Sequence, residues 1–452
     1  MPDLNRSHMA SLIQKELIRF KEDHPKSNEL FIRARESMQG GVPMLWMIRW
    51  PGAFPIFFKS AKGAHFIDVD DRAYIDFCLG DTGAMTGHSP VESVEAIRTQ
   101  AENGITLMLP MEDSIWVGEE LQRRFGLKYW QFTLTATDAN RFAIRMARHI
   151  TKRRKILVFN YCYHGSVDET FITLNEKGFP CARSGNLGPP IDPLETTRVV
   201  EFNDIPSLKS ALSHGDVAAV LAEPVMTNIG IIHPQPGFHD ALRELTRKYG
   251  SYLIIDETHT ICTSPGGYTA KYGLRPDFLT CGKPLASGIP AGVYGYTKEV
   301  AHAFWESLDQ DQSDVGGIGG TLAGNALSIK AIRATLENVL TQSMYDRCET
   351  LADLYERGIM DCIAEFNLPW IVKRLGFRVE YWFCETAPIN GGQANKAIDS
   401  ELDRFMHLWA LNRGILMTPF HNMALIAADT SEDDINYHTR VFREAVMALY
   451  NK

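Results

Sequence analysis

Apolar positions along this chain change their spacing twice. Between residues 8 and 38 Leu12, Ile13, Leu17, Phe20, Phe31 and Ile32 recur at helical spacing, with a break at His24-Pro25. Residues 54–79 then read as a small antiparallel sheet of three short strands, Phe54–Phe58, Ala64–Val69 and Tyr74–Cys78. Ser60-Ala-Lys-Gly63 and Asp70-Asp-Arg72 are expected to make the turns between them. From about residue 80 strand and helix patterns alternate. The expected strands are Tyr129–Leu134, Lys155–Asn160, Arg198–Phe202, Ala218–Ala222, Tyr252–Asp256, Phe278–Cys281 and Gly292–Tyr296. Most are apolar on both faces and separated by helix-length segments, which predicts an α/β fold with a mainly parallel seven-stranded sheet flanked by helices. After residue 325 a long helical stretch, Ala326–Glu337 continuing through 343–366, leads to a mixed region. There Phe377–Cys384 and Met423–Ala427 read as strands and Ala397–Asn412 as a helix. Three segments follow: 1–79, 80–325 and 326–452, the first and last expected to build one small α+β domain beside the large α/β domain.

Composition narrows the class only by exclusion. The 452 residues are 45% hydrophobic and 22% charged, values of an ordinary globular chain too long for one small core. A net charge of −9 gives no support to nucleic-acid binding. The eight cysteines are scattered without a CxxC pair, so neither a metal site nor a disulfide framework is expected. The first residues, Met1 to His8, lack the apolar core of a signal peptide, and no stretch reaches the length of a membrane span. The expectation is a soluble cytoplasmic protein.

The candidate chemistry sits at strand ends. Tyr252–Asp256 ends in a carboxylate, and Phe278–Cys281 runs through Gly282 into Lys283. An acid and an amine, each at the C-terminal tip of its own strand, suit a cofactor held covalently by the amine and electronically by the acid. Thr135-Ala136-Thr137 joins a strand to a helix whose free N–H groups would attract a phosphate. Tyr163-His164-Gly165 offers a ring for a flat cofactor, and Glu223-Pro224 supplies another acid. Taken singly, each has a plain counterpart: solvated side chains, an N-cap, a tyrosine packed at the sheet edge. Their order is more specific, since all fall at the carboxyl edge where open α/β sheets bind ligands.

In that order the chain resembles the class III aminotransferases of the fold-type I pyridoxal phosphate superfamily. The likeness runs from Gly40-Gly41 to about Ala428, nearest the glutamate-1-semialdehyde aminomutase and β-amino acid transaminase branch. The resemblance implies pyridoxal 5′-phosphate with Lys283 as Schiff-base lysine and Asp256 on the pyridine nitrogen. It implies that Ala136 and Thr137 hold the phosphate, that Tyr163 stacks on the ring and that Thr258 packs on its opposite face. His164 and Glu223 are further expected cofactor contacts. Thr321, in Gly319-Gly320-Thr321, matches a residue that reaches the neighbouring subunit's cofactor, which implies a homodimer with shared sites.

The chain also departs from the family pattern. Ala136 replaces a glycine and Asp138 a glutamate, and Ala136 fits only if its φ is negative. Thr258-His259 stands where Val-Met or Val-Gln is common, and His259 reads either as a residue that tunes the site or as a packed or solvated histidine. The two arginines that clamp a substrate carboxylate in relatives fall on Trp46 and Phe420, with Arg49 three residues beyond Trp46. An apolar pocket leaves a carboxylate unpaired at a large desolvation cost. The expected activity is therefore ping-pong transamination between an amine donor and a carbonyl acceptor, with apolar amines favoured. If Arg49 or Arg378 replaces the clamp, β- or ω-amino acids become donors. Aminomutase or racemase chemistry on the same lysine, and a non-catalytic cofactor-binding protein, are the alternatives.

Overall fold

A computed structural model describes residues 4–308, 315–419 and 421–450. It separates into two compact units. One gathers residues up to Pro90, Asp346–Ala387 and the chain from Ala397 on; the other comprises Val91–Tyr345 with Pro388–Lys396.

The second unit is built on a seven-stranded sheet. In spatial order its strands are Tyr129–Thr133, Gly292–Tyr296, Phe278–Cys281, Tyr252–Asp256, Val217–Ala222, Lys155–Phe159 and Thr197–Val200. Gly292–Tyr296 alone runs against its neighbours; the other pairings are parallel. Every residue of Val217–Ala222 and of Phe278–Cys281 is buried, as central strands covered on both faces require. The helix Ala136–Thr151 lays Ala139, Ala143, Ile144, Met146 and Ala147 into this core. The carboxyl ends at Asp256, Ala222 and Phe159 point to one edge of the parallel strands.

In the first unit, helices Arg6–Asp23 and Pro25–Ala34 meet at the expected break, Pro25 taking the first helical position that tolerates it. The small sheet corrects two expectations: Ile415–Leu416 joins Ala73–Asp76 as a fourth, parallel strand, and the first strand begins later than expected. Its first strand is Phe58–Lys62, not Phe54–Phe58, and Lys62 pairs with His65 across a two-residue turn at Gly63-Ala64. Pro55 has no N–H for a ladder bond, and Gly63, with φ +58°, supplies the left-handed residue a tight hairpin needs. Ser60 and Ala61 are therefore strand residues rather than a turn. Periodicity also passed over the strand Ile371–Leu375, which pairs with Arg378–Trp382.

Two histidines of this unit make its stability sensitive to acid. His407 and His438 are buried, and burial lowers their pKa values to about 4 and about 3. Folded and neutral, they resist a proton that the unfolded chain takes up near pH ~6.5. Stability is thus full above that pH and is lost as pH falls from there toward 4. Thermal unfolding at pH 7 and pH 5 checks this, and His407→Gln is expected to shrink the difference between the two midpoints.

Candidate active site

Each element at the carboxyl edge presents its side chain for a local reason. Thr135 caps the helix Ala136–Thr151: its hydroxyl accepts from Asp138 N (3.1 Å) and its carbonyl from Ala139 N. Ala136 and Thr137 therefore occupy the first two helical positions, whose N–H groups have no partner inside a helix. Ala136 is helical and absent from the positive-φ residues, so the missing glycine costs nothing here. Gly282 lies so close that a Cβ on it would come 2.9 Å from Ala136 N. Gly165, with φ +80°, packs against Thr137, and a Cβ there would overlap the Thr137 hydroxyl. That hydroxyl accepts from Ser166 N at 3.1 Å.

Asp256 is buried at the end of its strand and its carboxylate is fully engaged. Oδ2 accepts from Asn140 Nδ2 and from the His164 ring Nδ1, both at 2.9 Å, while Oδ1 accepts from Thr258 N at 3.0 Å. Burial works against the charge, but these hydrogen bonds and the His164 cation outweigh it and hold Asp256 below the usual carboxylate range. For His164 burial is again opposed, here by Cys162 and Asp256, and its pKa is raised. The result is a buried ion pair at the sheet edge. Asn140 also accepts from the Thr280 hydroxyl at 2.6 Å, so the next strand braces the same cluster. Glu223 follows the neighbouring strand and binds the Thr227 hydroxyl at 2.5 Å; burial pushes its pKa up to about 7.

Lys283 opens a short 3₁₀ turn, Lys283–Ala286, with φ +42°. Pro284 disfavours the right-handed helical region for the residue before it, and a non-glycine residue at positive φ is strained by about 1–3 kcal/mol. Its Nζ lies 2.7 Å from His259 Nε2. Tyr163 is 38% exposed and sets its ring edge-on to Phe171, on whose face the Arg183 guanidinium stacks at 4.9 Å.

Ala136, Thr137, His164, Asp256, Thr258 and Lys283 thus belong to one connected group, joined through Gly282, Gly165 and Asn140. Glu223 lies at the neighbouring strand end. Thr321 is an exposed residue of a turn after the sheet. Trp46 and Arg49 lie in the 3₁₀ segment Leu45–Arg49 of the other unit, Trp46 edge-on to Trp50. Phe420 lies outside the described residues. Sequence reading missed Asn140, although a polar residue among the helix's buried alanines was a usable signal. It also missed Phe171 and Arg183, for which no local pattern exists.

The donor set fits a phosphorylated, cationic aromatic ring: a helix N-terminus for the phosphate, an ionised buried acid for a ring nitrogen, and an amine for a carbonyl. The close glycine contacts preserve that cradle. Gly165→Ala is expected to displace the Ala136–Thr137 turn and weaken phosphate retention by at least tenfold (about 1.4 kcal/mol), measured by cofactor titration of the apo-protein.

Residues 47–426 match the family model described as Aminotransferase class-III. A glutamate-1-semialdehyde-aminomutase from Pseudomonas aeruginosa PAO1 is 47% identical, with 99% of both chains covered and a TM-score of 0.97. A lysine-to-alanine variant of an aminomutase from that strain has been solved in complex with PMP. The glutamate-1-semialdehyde 2,1-aminomutase of Methanosphaera stadtmanae is 32% identical over 432 residues, spanning 94% of this chain and 99% of the relative. An omega-transaminase from Sphaerobacter thermophilus is 27% identical, covers 94% and 97% of the two chains and has a TM-score of 0.84.

Proposed function

The chain belongs to the class III aminotransferases, a fold-type I family dependent on pyridoxal 5′-phosphate, and on that premise we propose that it transfers an amino group between a small-molecule amine and a carbonyl at the Lys283–Asp256 site. The buried Asp256–His164 pair carries this reading, because an acid held ionised at the sheet edge is what keeps a pyridine nitrogen protonated. When bound, the cofactor supplies an aldehyde for the amine and an aromatic system that withdraws electrons from the substrate carbon. The N–H groups of Ala136 and Thr137 would hold its phosphate, Tyr163 and Thr258 would contact the ring, and Lys283 Nζ would anchor it. When not engaged as the anchor, Nζ would take the proton from the substrate carbon and hand it on.

Two substrate readings are open to one test. The aromatic residue at 46 favours an apolar amine and a separate carbonyl acceptor, with Arg49 as the rival carboxylate clamp. The 47% identical aminomutase favours a second reading, an amino shift from C2 to C1 within glutamate-1-semialdehyde. Purified holoprotein mixed with β-alanine, β-phenylalanine, aryl-alkyl amines or glutamate-1-semialdehyde separates them by cofactor spectrum and product. Conversion by apolar amines supports the first reading, and conversion by carboxylated donors alone, lost in Arg49→Ala, refutes it. A shifted amino group without external acceptor supports the second. A lysine-linked cofactor that no amine converts would leave a non-catalytic binding protein.

A homodimer is part of the proposal. Ile105, Leu107, Met108 and Leu109 form an exposed apolar run, and Ile105 O accepts from Ala326 N, which lies five residues after Thr321. Light scattering is expected to give twice the chain mass, and Met108→Asp to reduce it. Eight free cysteines suit a reducing cytoplasm; among the described residues no helix is long and apolar enough to cross a membrane.

A further inference from the structure

Lys283 faces a second titratable group at the end of the neighbouring strand Tyr252–Asp256, one for which the family resemblance offers no role. Its Nζ and His259 Nε2 are 2.7 Å apart, and both residues are half-buried. Two nitrogens at that distance need a proton between them, one donating and the other accepting. A lysine ammonium has three donors and no acceptor, and two adjacent cations repel. An ammonium donating to the lone pair of a neutral imidazole satisfies the 2.7 Å contact.

Both partners are held from behind. The loop carrying His259 is fastened by Thr258 N to Asp256 Oδ1 (3.0 Å) and by Ile261 N to Glu257 O (2.9 Å). The Glu257 carboxylate is in turn held by Tyr268 N, Thr269 N and the Thr260 hydroxyl. On the other side Pro284 and the left-handed φ of Lys283 restrict the lysine backbone. The contact therefore joins two fixed points, not two drifting surface chains.

We propose that His259 is the positioning residue for Lys283, its Nε2 accepting a hydrogen bond from the Lys283 ammonium while the lysine is detached and carries the proton. Detached and neutral, the lysine first offers its Nζ lone pair to the proton of the substrate carbon; the C–H electron pair stays with the substrate, and Nζ becomes the ammonium that His259 then holds. The same proton, or one exchanged with it on the ammonium, leaves from Nζ. His259 neither gains nor loses a proton; it orients Nζ and strengthens its hydrogen bond as charge appears, since charge-assisted bonds are roughly twice as strong as neutral ones. The inference rests on Lys283 as the proton carrier, the reading given above.

His259→Phe removes the acceptor, and His259→Asn keeps an acceptor oxygen on a shorter side chain. In the holoenzyme His259→Phe is expected to slow single-turnover conversion of the cofactor by about tenfold or more. Apparent donor affinity stays unchanged, the primary deuterium isotope effect with an α-deuterated donor rises, and His259→Asn recovers most of the rate. In the full-length apo-protein, a small acylating reagent is expected to label Lys283 several-fold faster in His259→Phe, because the ammonium has lost its acceptor. Equal labelling rates in wild type and His259→Phe overturn the contact. An unchanged rate and isotope effect in His259→Phe, with Lys283→Ala inactive, overturn the positioning role alone. A labelling difference in a protein that no amine converts supports the contact and removes the catalytic reading on which the role depends.

Discussion

Lys283→Ala is expected to lower amino transfer by roughly 10⁴-fold or more, the upper range for one positioned proton-transfer group. It would also abolish covalent attachment of the cofactor. The two losses have one origin, since the proposed anchor and the proposed proton carrier are the same Nζ. The strained backbone at Lys283, with φ +42° ahead of Pro284, aims that atom from the end of a fully buried strand. Borohydride reduction followed by peptide mapping checks the link: phosphopyridoxyl on Lys283 in the wild type, none in the variant. Circular dichroism unchanged from wild type and retained binding of pyridoxamine phosphate would show that the fold and the phosphate cradle survive. A variant that turns over within tenfold of wild type removes Lys283 from the mechanism.

Asp256→Ala is expected to cost more than activity. The carboxylate neutralises His164 and accepts from Asn140 and Thr258 N inside the protein. Removing one partner of a buried pair typically destabilises by about 3–5 kcal/mol, because the remaining charge is left without compensation. Asp256→Asn keeps an acceptor and much of the volume, so it should lose less stability than Ala. It still cannot stabilise a protonated ring nitrogen, and turnover should fall by about 10²–10⁴-fold. Urea unfolding and single-turnover rates on both variants separate the two effects. The pair also has a defined pH window. The depressed Asp256 pKa gives stability that is present above ~3.9 and is lost as pH falls through its folded value. The raised His164 pKa gives stability that is complete below ~6.5 and is lost as pH rises through its folded value. Between those limits the pair is at full strength. An Asp256→Asn enzyme with wild-type turnover would show that the acid is structural.

Much of the large unit was legible because its elements carry strong local signals. Tyr252–Asp256, Phe278–Cys281 and Gly292–Tyr296 appear with the expected bounds, since continuous apolar runs ended by Asp, Gly or Lys leave little freedom. The helix after Thr135 was visible from its cap and its small apolar face. The first hairpin was not, because Phe54–Phe58 is as apolar as a strand and only the proline and the pairing partner argue otherwise.

The site divides in the same way. Lys283, Asp256 and the Thr135–Thr137 turn stand out in the sequence because each ends a periodic segment with a residue that does not belong in its core. That much, together with the α/β class, the sequence by itself determined. Which side chains face one another was decided by the tertiary structure. Asn140 reaches Asp256 across 116 positions and His164 across 92, and His259 meets Lys283 across 24. Local periodicity reports the face a residue turns inward; it holds no information on which distant strand end closes against it. Parallel strand order supplies that, by carrying residues far apart in the chain to the same edge of one sheet.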